Sequence, residues 1–457
     1  MPLPQALLES LLTTTGFNKE AFEQVHHSGE QITSVRMNPS KPIIELTDKT
    51  FSQPTFPIPW SDSGCYLSQR PSFTFDPLFH AGCYYVQEAS SMFLEQAFRQ
   101  QADLSQPLKV LDLCASPGGK STHIQSLISN KSLLVSNEVI RSRANVLKDN
   151  IVKWGSSNVM VTNNDPKDFS RLENYFDIVV IDAPCSGSGL FRRDETAIAE
   201  WSENNVQLCS QRQQRIIADV WPALKHNGLL IYSTCSYSIE EDEEIMDWIE
   251  GQLPATNCEL DINGAWGITT TITPKGNTGY RFWPHKVKGE GFFLACFKKK
   301  EGEDAAIQRV KNKPDMPTKK EMEMIAPWVE TEGLHFVKYE QTVYAWPALL
   351  ADSFTLLLQQ LRVIYSGTLI GELMRDKLVP DHALALSGII SGMIPAVPLT
   401  YEQAILYLQR KELHLEAEKR GWQLVTYAGY PLGWVNVLPN RVNNYYPKEL
   451  RILKDSV

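Results

Sequence analysis

The sequence predicts an α/β fold: a doubly wound, mostly parallel sheet covered by helices on both faces, with an α+β segment before it and smaller units after it. Three observations carry this expectation. From Leu108 onward, short apolar runs alternate with helix-length amphipathic segments, the pattern of parallel strands buried on both sides. The first of these runs empties into a glycine-rich turn that opens a helix, a connection that lets a ligand approach the backbone. Residues able to do chemistry stand at the carboxyl ends of the runs, where open α/β sheets bind their ligands.

Residues 1–92 begin with a helical pattern, Leu7, Leu8, Leu11 and Leu12, followed by a strand-like stretch from Gln31 to Leu46. The central unit is expected over 93–300. Its strands are Lys109 to Leu113, Leu133 to Val135, Val159 to Val161, Asp177 to Ile181 and Leu229 to Tyr232. Helices are expected over Arg141 to Trp154, Asn204 to Leu224 and Ile239 to Ile249, and Gly291 to Phe297 supplies a late, antiparallel strand. A charged, proline-containing linker follows over 301–320. Beyond it lies a region rich in Trp and Tyr, divided at Ile394-Pro395-Ala396-Val397-Pro398 into units 321–394 and 395–457. There is no internal repeat.

Composition narrows the class. A chain of 457 residues, 43% hydrophobic and 21% charged, has the make-up of a globular protein with several domains. No run of about 18 apolar residues is present, so no membrane span or membrane partner is expected. Met1-Pro2-Leu3-Pro4 carries no basic stretch, and Glu9 interrupts the apolar run from Leu7 to Leu12. A secretory signal is not expected, and the cytoplasm is the default location. The eight cysteines are never closer than eighteen positions. That excludes a CxxC metal knuckle and argues against a disulfide framework, so no metal is expected. Net charge is −9, yet Arg281 to Lys320 holds eleven basic residues against five acidic ones, and Glu240 to Glu250 holds seven acidic residues and no basic one. Either run reads most simply as a solvated face or a linker.

The glycine turn reads Asp112-Leu113-Cys114-Ala115-Ser116-Pro117-Gly118-Gly119-Lys120-Ser121-Thr122. Three ligands compete for it. A dinucleotide would want GxGxxG, which is absent. A phosphate-binding P-loop would want glycine where Cys114 stands. S-adenosylmethionine needs a turn that admits its amino-acid end and a carboxylate for its ribose. Glu138 follows the second strand, placed to accept both ribose hydroxyls, and Asp165 follows the third, placed to accept from the adenine amino group.

The fourth strand ends in Asp182-Ala183-Pro184-Cys185-Ser186-Gly187-Ser188-Gly189, and the fifth in Ser233-Thr234-Cys235-Ser236. Neighbouring strands would bring two cysteines and an aspartate to one sheet edge. Such a set suits methylation of cytosine at carbon 5. That carbon is a poor nucleophile until a thiolate adds to carbon 6, which divides one hard step into easier ones. A carboxyl group at N3 would stabilise the charge that develops.

Leu111 to Lys120, Asp182 to Gly189 and Ser233 to Ser236 resemble, in order, the signature blocks of the Nol/Nop/Sun family of RNA cytosine-C5 methyltransferases. The resemblance implies a Rossmann-like class I methyltransferase domain, with Cys235 as nucleophile and Cys185 assisting product release. It also implies that Asp182 contacts the base or the methionine end of the cofactor. Cofactor binding would fall to Cys114, Ala115, Ser116, Pro117, Gly118, Gly119, Lys120, Glu138 and Asp165. DNA cytosine methyltransferases place the nucleophile in the Pro-Cys block, here Cys185. The presence of the Thr234-Cys235 block favours the RNA type.

Ser34-Val35-Arg36-Met37-Asn38 resembles the Arg-x-Asn motif of the family's N-terminal RNA-recognition extension. Cys83 to Met92, with Gln87, Glu88 and Ser90, resembles its entry to the catalytic domain. Gly433-Trp434-Val435, Arg441 and Asn444-Tyr445-Tyr446-Pro447 resemble the PUA-like extension of the RsmF-like branch, bacterial enzymes acting on small-subunit ribosomal RNA. The resemblance therefore implies a monomer whose partner is 16S ribosomal RNA, free or in the small ribosomal subunit. A tRNA cytosine methyltransferase is the nearest rival. A non-catalytic ribosome assembly factor is the rival from another class, and the intact Cys185, Cys235 and Asp182 speak against it, since binding alone needs neither thiol.

Overall fold

The computed structural model describes residues 2–43, 54–300, 313–415 and 419–455. Among these residues the strands form four sheets. The N-terminal sheet holds β1 (Thr33–Met37), β2 (Thr55–Pro57), β3 (Gly64–Leu67) and β4 (Tyr84–Val86), in the order β2-β3-β1-β4. Of the expected strand from Gln31 to Leu46, only Thr33–Met37 forms, and residues 44–46 lie outside the described residues.

The central sheet is built on β5 (Lys109–Asp112), β6 (Leu133–Asn137), β7 (Val159–Thr162), β8 (Phe176–Asp182) and β9 (Leu224–Thr234), all parallel in the order β7-β6-β5-β8-β9. Alternate residues feed two different cores. Leu111, Val135, Val179 and Ile181 pack on one face, while Val110, Leu134, Ile178 and Val180 pack on the other. Burial on both faces is why these strands read as unbroken apolar runs. Beyond β9 the sheet turns antiparallel through β10 (Ala255–Cys258), β11 (Thr269–Ile272), β12 (Thr278–Phe282) and β13 (Phe292–Lys299), with β13 against β9. The helix Arg141–Trp154 lies as expected, Glu203–Val220 ends short of Leu224, which begins β9, and Glu243–Gln252 starts four residues later than periodicity suggests.

Residues 301–312 of the expected linker lie outside the described residues. Its last two residues already belong to the helix Lys319–Ile325, which Thr318 and Glu321 open as a reciprocal cap. The stretch 321–394 builds a sheet of β14 (Leu334–Tyr339), β15 (Thr342–Pro347), β17 (Thr368–Met374) and β18 (Lys377–Pro380). It also lends β16 (Val363–Ser366) to the free edge of β7. Covering that edge removes a row of unpaired backbone groups. The last sheet contains β19 (Ala396–Pro398), β20 (Gly421–Tyr427), β21 (Tyr430–Leu438) and β22 (Arg441–Asn444). It shares a core with the N-terminal sheet: Val35, Leu67 and Tyr84 pack in one cluster with Tyr407, Val425, Val435 and Tyr446.

Candidate active site

Strand order reverses at β5, with β6 on one side and β8 on the other, which opens a crevice at the carboxyl ends. The glycine turn fills the floor of that crevice. Gly118 is left-handed (φ +114°), a conformation that suits glycine, and the helix Gly119–Leu127 starts directly after it. The turn is fixed from several sides. The Ala115 N–H donates to Asn137 O at 2.8 Å, Asn137 Nδ2 to Leu113 O at 3.2 Å, and Asn150 Nδ2 to Pro117 O at 2.8 Å. Arg36 of β1, an ordinary surface arginine on periodicity alone, is instead buried. It donates to Gln87 Oε1 at 2.8 Å, Thr122 Oγ1 at 2.6 Å and Gly119 O at 3.3 Å, pinning the N-terminal sheet to the first turn of this helix.

A cavity of about 400 Å3 opens above the turn. Cys114, Ala115, Ser116, Pro117, Gly119, Lys120, Asp182 and Cys235 line it, together with residues outside the expected set: Tyr85, Gln87, Arg193, Glu290 and Phe292 among them. Gly118, Glu138 and Asp165 of the expected set are not among its lining residues. Glu138 is buried; its Oε1 accepts from the Ile140 N–H at 2.9 Å, and Oε2 lies 3.5 Å from Arg143. Asp165 caps the short helix Pro166–Arg171 and accepts from the Lys167 N–H at 3.2 Å.

The electrostatics suit a cationic ligand. Asp112 is fully buried, and burial pushes its pKa up to about 7 despite a 2.6 Å hydrogen bond from Ser121 Oγ. Burial, then the charges of Asp112, Asp182 and Glu138, push the Cys114 thiol up. Lys120 is desolvated, yet the Asp182 carboxylate 2.8 Å away keeps its pKa above the ordinary lysine value. S-adenosylmethionine carries a sulfonium and an ammonium group, and the lining fits such a ligand: the Asp182 and Glu290 carboxylates stand beside a glycine turn that no side chain fills.

β8 and β9 are adjacent and pair as far as Asp182 against Ser233. Just past that point the two sulfurs meet, with Cys185 Sγ 3.1 Å from Cys235 Sγ. The hydrogen bond to Cys235, burial and the neighbouring charge hold the Cys185 pKa well above the ordinary thiol value. Asp182 is held by Ser233 Oγ, which donates to Oδ1 at 2.9 Å. The end of β9 is anchored by Thr234 Oγ1 donating to Asp242 Oδ1 at 2.6 Å. Gly189 lies so close that an added Cβ would stand 2.7 Å from Cys235 O and 2.6 Å from Gly291 O.

The acidic run from Glu240 to Glu250 departs from the expected solvated face. Glu241, Asp242 and Glu243 are buried. Arg281, the first residue of the basic run, is buried with them, 3.1 Å from Asp242 and ion-paired with Glu243. Periodicity could not reveal this, because the carboxylates and their arginine are nearly forty residues apart in the chain. In the C-terminal unit, Trp434 and Tyr446 are core residues, while Tyr445 is exposed.

Comparison with known proteins places three family models along the chain. The N-terminal domain of 16S rRNA methyltransferase RsmF matches residues 3–89, 16S rRNA methyltransferase RsmB/F matches 101–298, and the methyltransferase RsmF PUA domain matches 395–452. Ribosomal RNA small subunit methyltransferase F of Shewanella putrefaciens is 31% identical, covering 93% of this chain and 91% of that one. The protein of the same name from Vibrio parahaemolyticus is 29% identical across 98% and 97%. Among solved structures, a methyltransferase homolog protein from Pyrococcus horikoshii is similar with a TM-score of 0.51 and 25% identity, covering 65% of this chain and all of that one.

Proposed function

The chain belongs to the ribosomal RNA small subunit methyltransferase F family, an S-adenosylmethionine-dependent enzyme family, and from that premise we propose that it methylates carbon 5 of a cytosine in 16S ribosomal RNA through a covalent adduct on Cys235. The observation that carries this reading is the 3.1 Å approach of the Cys185 and Cys235 sulfurs beside Asp182 at the mouth of the cofactor cavity. Binding without chemistry needs neither thiol. The cytoplasm is the expected place of action.

Bound S-adenosylmethionine supplies an electrophilic methyl group. The turn from Cys114 to Lys120, with Glu138 and Asp165, holds it. The Cys235 thiolate forms a bond to carbon 6, and the displaced electron pair makes carbon 5 enamine-like. Asp182, held by Ser233 and Lys120, is set to accept a hydrogen bond from N3–H once N3 has taken up a proton from solvent, which neutralises the charge that builds there. Lys120 lies within electrostatic reach of Cys235, and the Cys185 sulfur is in hydrogen-bond contact with the same sulfur. Adduct formation turns Cys235 into a neutral thioether. The Cys235 hydrogen bond and charge, two of the causes that keep the proton on Cys185, are then lost. Cys185, its proton released to solvent, accepts the carbon 5 proton; the C–H electron pair restores the C5=C6 bond and the carbon–sulfur pair returns to Cys235 as thiolate.

The test is methylation of 16S rRNA transcripts, and of a tRNA pool, by purified enzyme with S-adenosylmethionine, read by bisulfite sequencing. A protected cytosine in 16S rRNA and none in tRNA is expected. Methyl transfer without bisulfite protection would place the methyl group elsewhere than carbon 5, and protection confined to tRNA would move the substrate to the rival class.

A further inference from the structure

Glu241 has contacts that the chemistry above leaves unused. It is fully buried, and its carboxylate accepts four hydrogen bonds. Oε1 takes the Ser186 N–H at 2.8 Å and Gln213 Nε2 at 3.1 Å, and Oε2 takes Ser186 Oγ at 2.5 Å and Ser236 Oγ at 2.6 Å. Ser186 and Ser236 directly follow Cys185 and Cys235. The backbone ladder between β8 and β9 ends at Asp182 and Ser233, so regular pairing stops before either thiol is reached. Past that point the Glu241 side chain grips both loops at once.

Its own position is over-determined. Tyr232, near the end of β9, donates from its hydroxyl to Glu241 O at 2.6 Å and stands 3.0 Å from Gln213 Oε1. Gln213 also donates to Pro184 O at 3.1 Å, the residue before Cys185. A buried carboxylate is costly unless fully paired, and here every partner lies on, or is tied to, a cysteine-bearing loop.

We propose that Glu241 is a positioning residue: it braces the loops after β8 and β9 so that the Cys185 and Cys235 sulfurs stay in contact. The brace rests on the reading of these cysteines as the reacting pair, and its test separates the two. Diamide accepts two thiol hydrogens and is reduced to the hydrazine as a disulfide forms, so the rate of Cys185–Cys235 cross-linking, mapped on peptides, reports sulfur spacing without any turnover. Glu241→Ala should cross-link at least about tenfold more slowly and lose about 10²-fold in kcat, the scale of an ångström-sized misplacement, with KM for S-adenosylmethionine unchanged. Glu241→Gln should stay near wild type in both readouts, because the Ser186 and Ser236 hydroxyls can rotate to accept from the amide. If Glu241→Ala does not fold, the Ser186→Ala/Ser236→Ala double variant, which leaves the carboxylate in place, must show the same losses in smaller degree. Wild-type cross-linking in a folded Glu241→Ala, or in the double variant, overturns the brace. Slow cross-linking with wild-type methylation upholds the brace and removes the cysteine pair from catalysis.

Discussion

Glu138 is buried directly after β6, and its proposed role is to accept from the ribose of the bound cofactor. A buried ribose that loses a charged acceptor forfeits about 1.5–3 kcal/mol, so Glu138→Ala should weaken S-adenosylmethionine about ten- to a hundredfold; unchanged affinity by calorimetry removes Glu138 from the site. Asp112 makes a second prediction. Its folded pKa of about 7 lies above the ordinary aspartate value of 3.8, so the folded protein keeps a proton that the unfolded chain has released. Stability is therefore lost as pH rises between those values, on the order of 4 kcal/mol for about three pKa units. Asp112→Asn lacks this loss. Denaturant melts without cofactor should show the variant gaining on wild type between pH 4 and pH 8, and a constant gap contradicts the burial argument. Among the site residues, Cys185 and Cys235 are readable from sequence because strand ends announce themselves: an apolar run stops and a Pro-Cys or Thr-Cys follows. Asp182 is readable for the same reason and Lys120 because it follows the glycine turn, although their mutual ion pair is not. The role of Glu241 is hidden, and so is the burial of Arg36, although its motif is readable. One sits in a run of acids that looks solvated, the other on a strand with no sign of the side chains that bury it.

At the scale of elements, the parallel strands are legible because two-sided burial writes continuous apolar runs, and their flanking helices because the 3.6-residue period survives in sequence. The short strands are not. β16 is four residues, Val363–Ser366, too few to distinguish from a buried helical turn, and its partner β7 lies about two hundred residues earlier. What holds the active-site loops together is equally non-local. The Gly189 N–H donates to Cys235 O at 2.8 Å, and the Gly291 N–H to Gly189 O at 3.3 Å, so the loop after β8, the end of β9 and the start of β13 meet at one glycine. Gly189→Ala would force its Cβ against both carbonyls. The displaced Cys235 should cost about 10²-fold in kcat, while cofactor affinity stays near wild type because the glycine turn is untouched. Equal losses in kcat and cofactor binding would show instead that the whole crevice had shifted.

Across the whole molecule the units are interlocked, which sequence boundaries could not show. The 321–394 stretch completes the central sheet, and the last sheet shares its core with the first. Removing everything after Lys300 would therefore expose cores as well as remove RNA-binding surface, so surface charge is the cleaner probe. Arg441, Lys448, Arg451 and Lys454 are all exposed on the C-terminal unit. Replacing the four with Gln should weaken binding to 16S rRNA and lower the salt slope by about 0.7–0.9 for each phosphate no longer neutralised, with the melting temperature unchanged. Equal affinity and slope in both proteins would exclude this face from RNA recognition.

The most direct measurement of the central claim is a denaturing gel of Cys235→Ala and Cys185→Ala, each incubated with S-adenosylmethionine and 16S rRNA. Cys235→Ala cannot form the carbon 6 bond and should trap no RNA. Cys185→Ala still attacks and methylates but lacks the group that accepts the carbon 5 proton, so breakdown slows more than formation and the adduct builds up. An RNase-sensitive shifted band in Cys185→Ala alone is the predicted result. The reverse pattern would make Cys185 the nucleophile, and full activity in both variants would contradict covalent catalysis by either thiol.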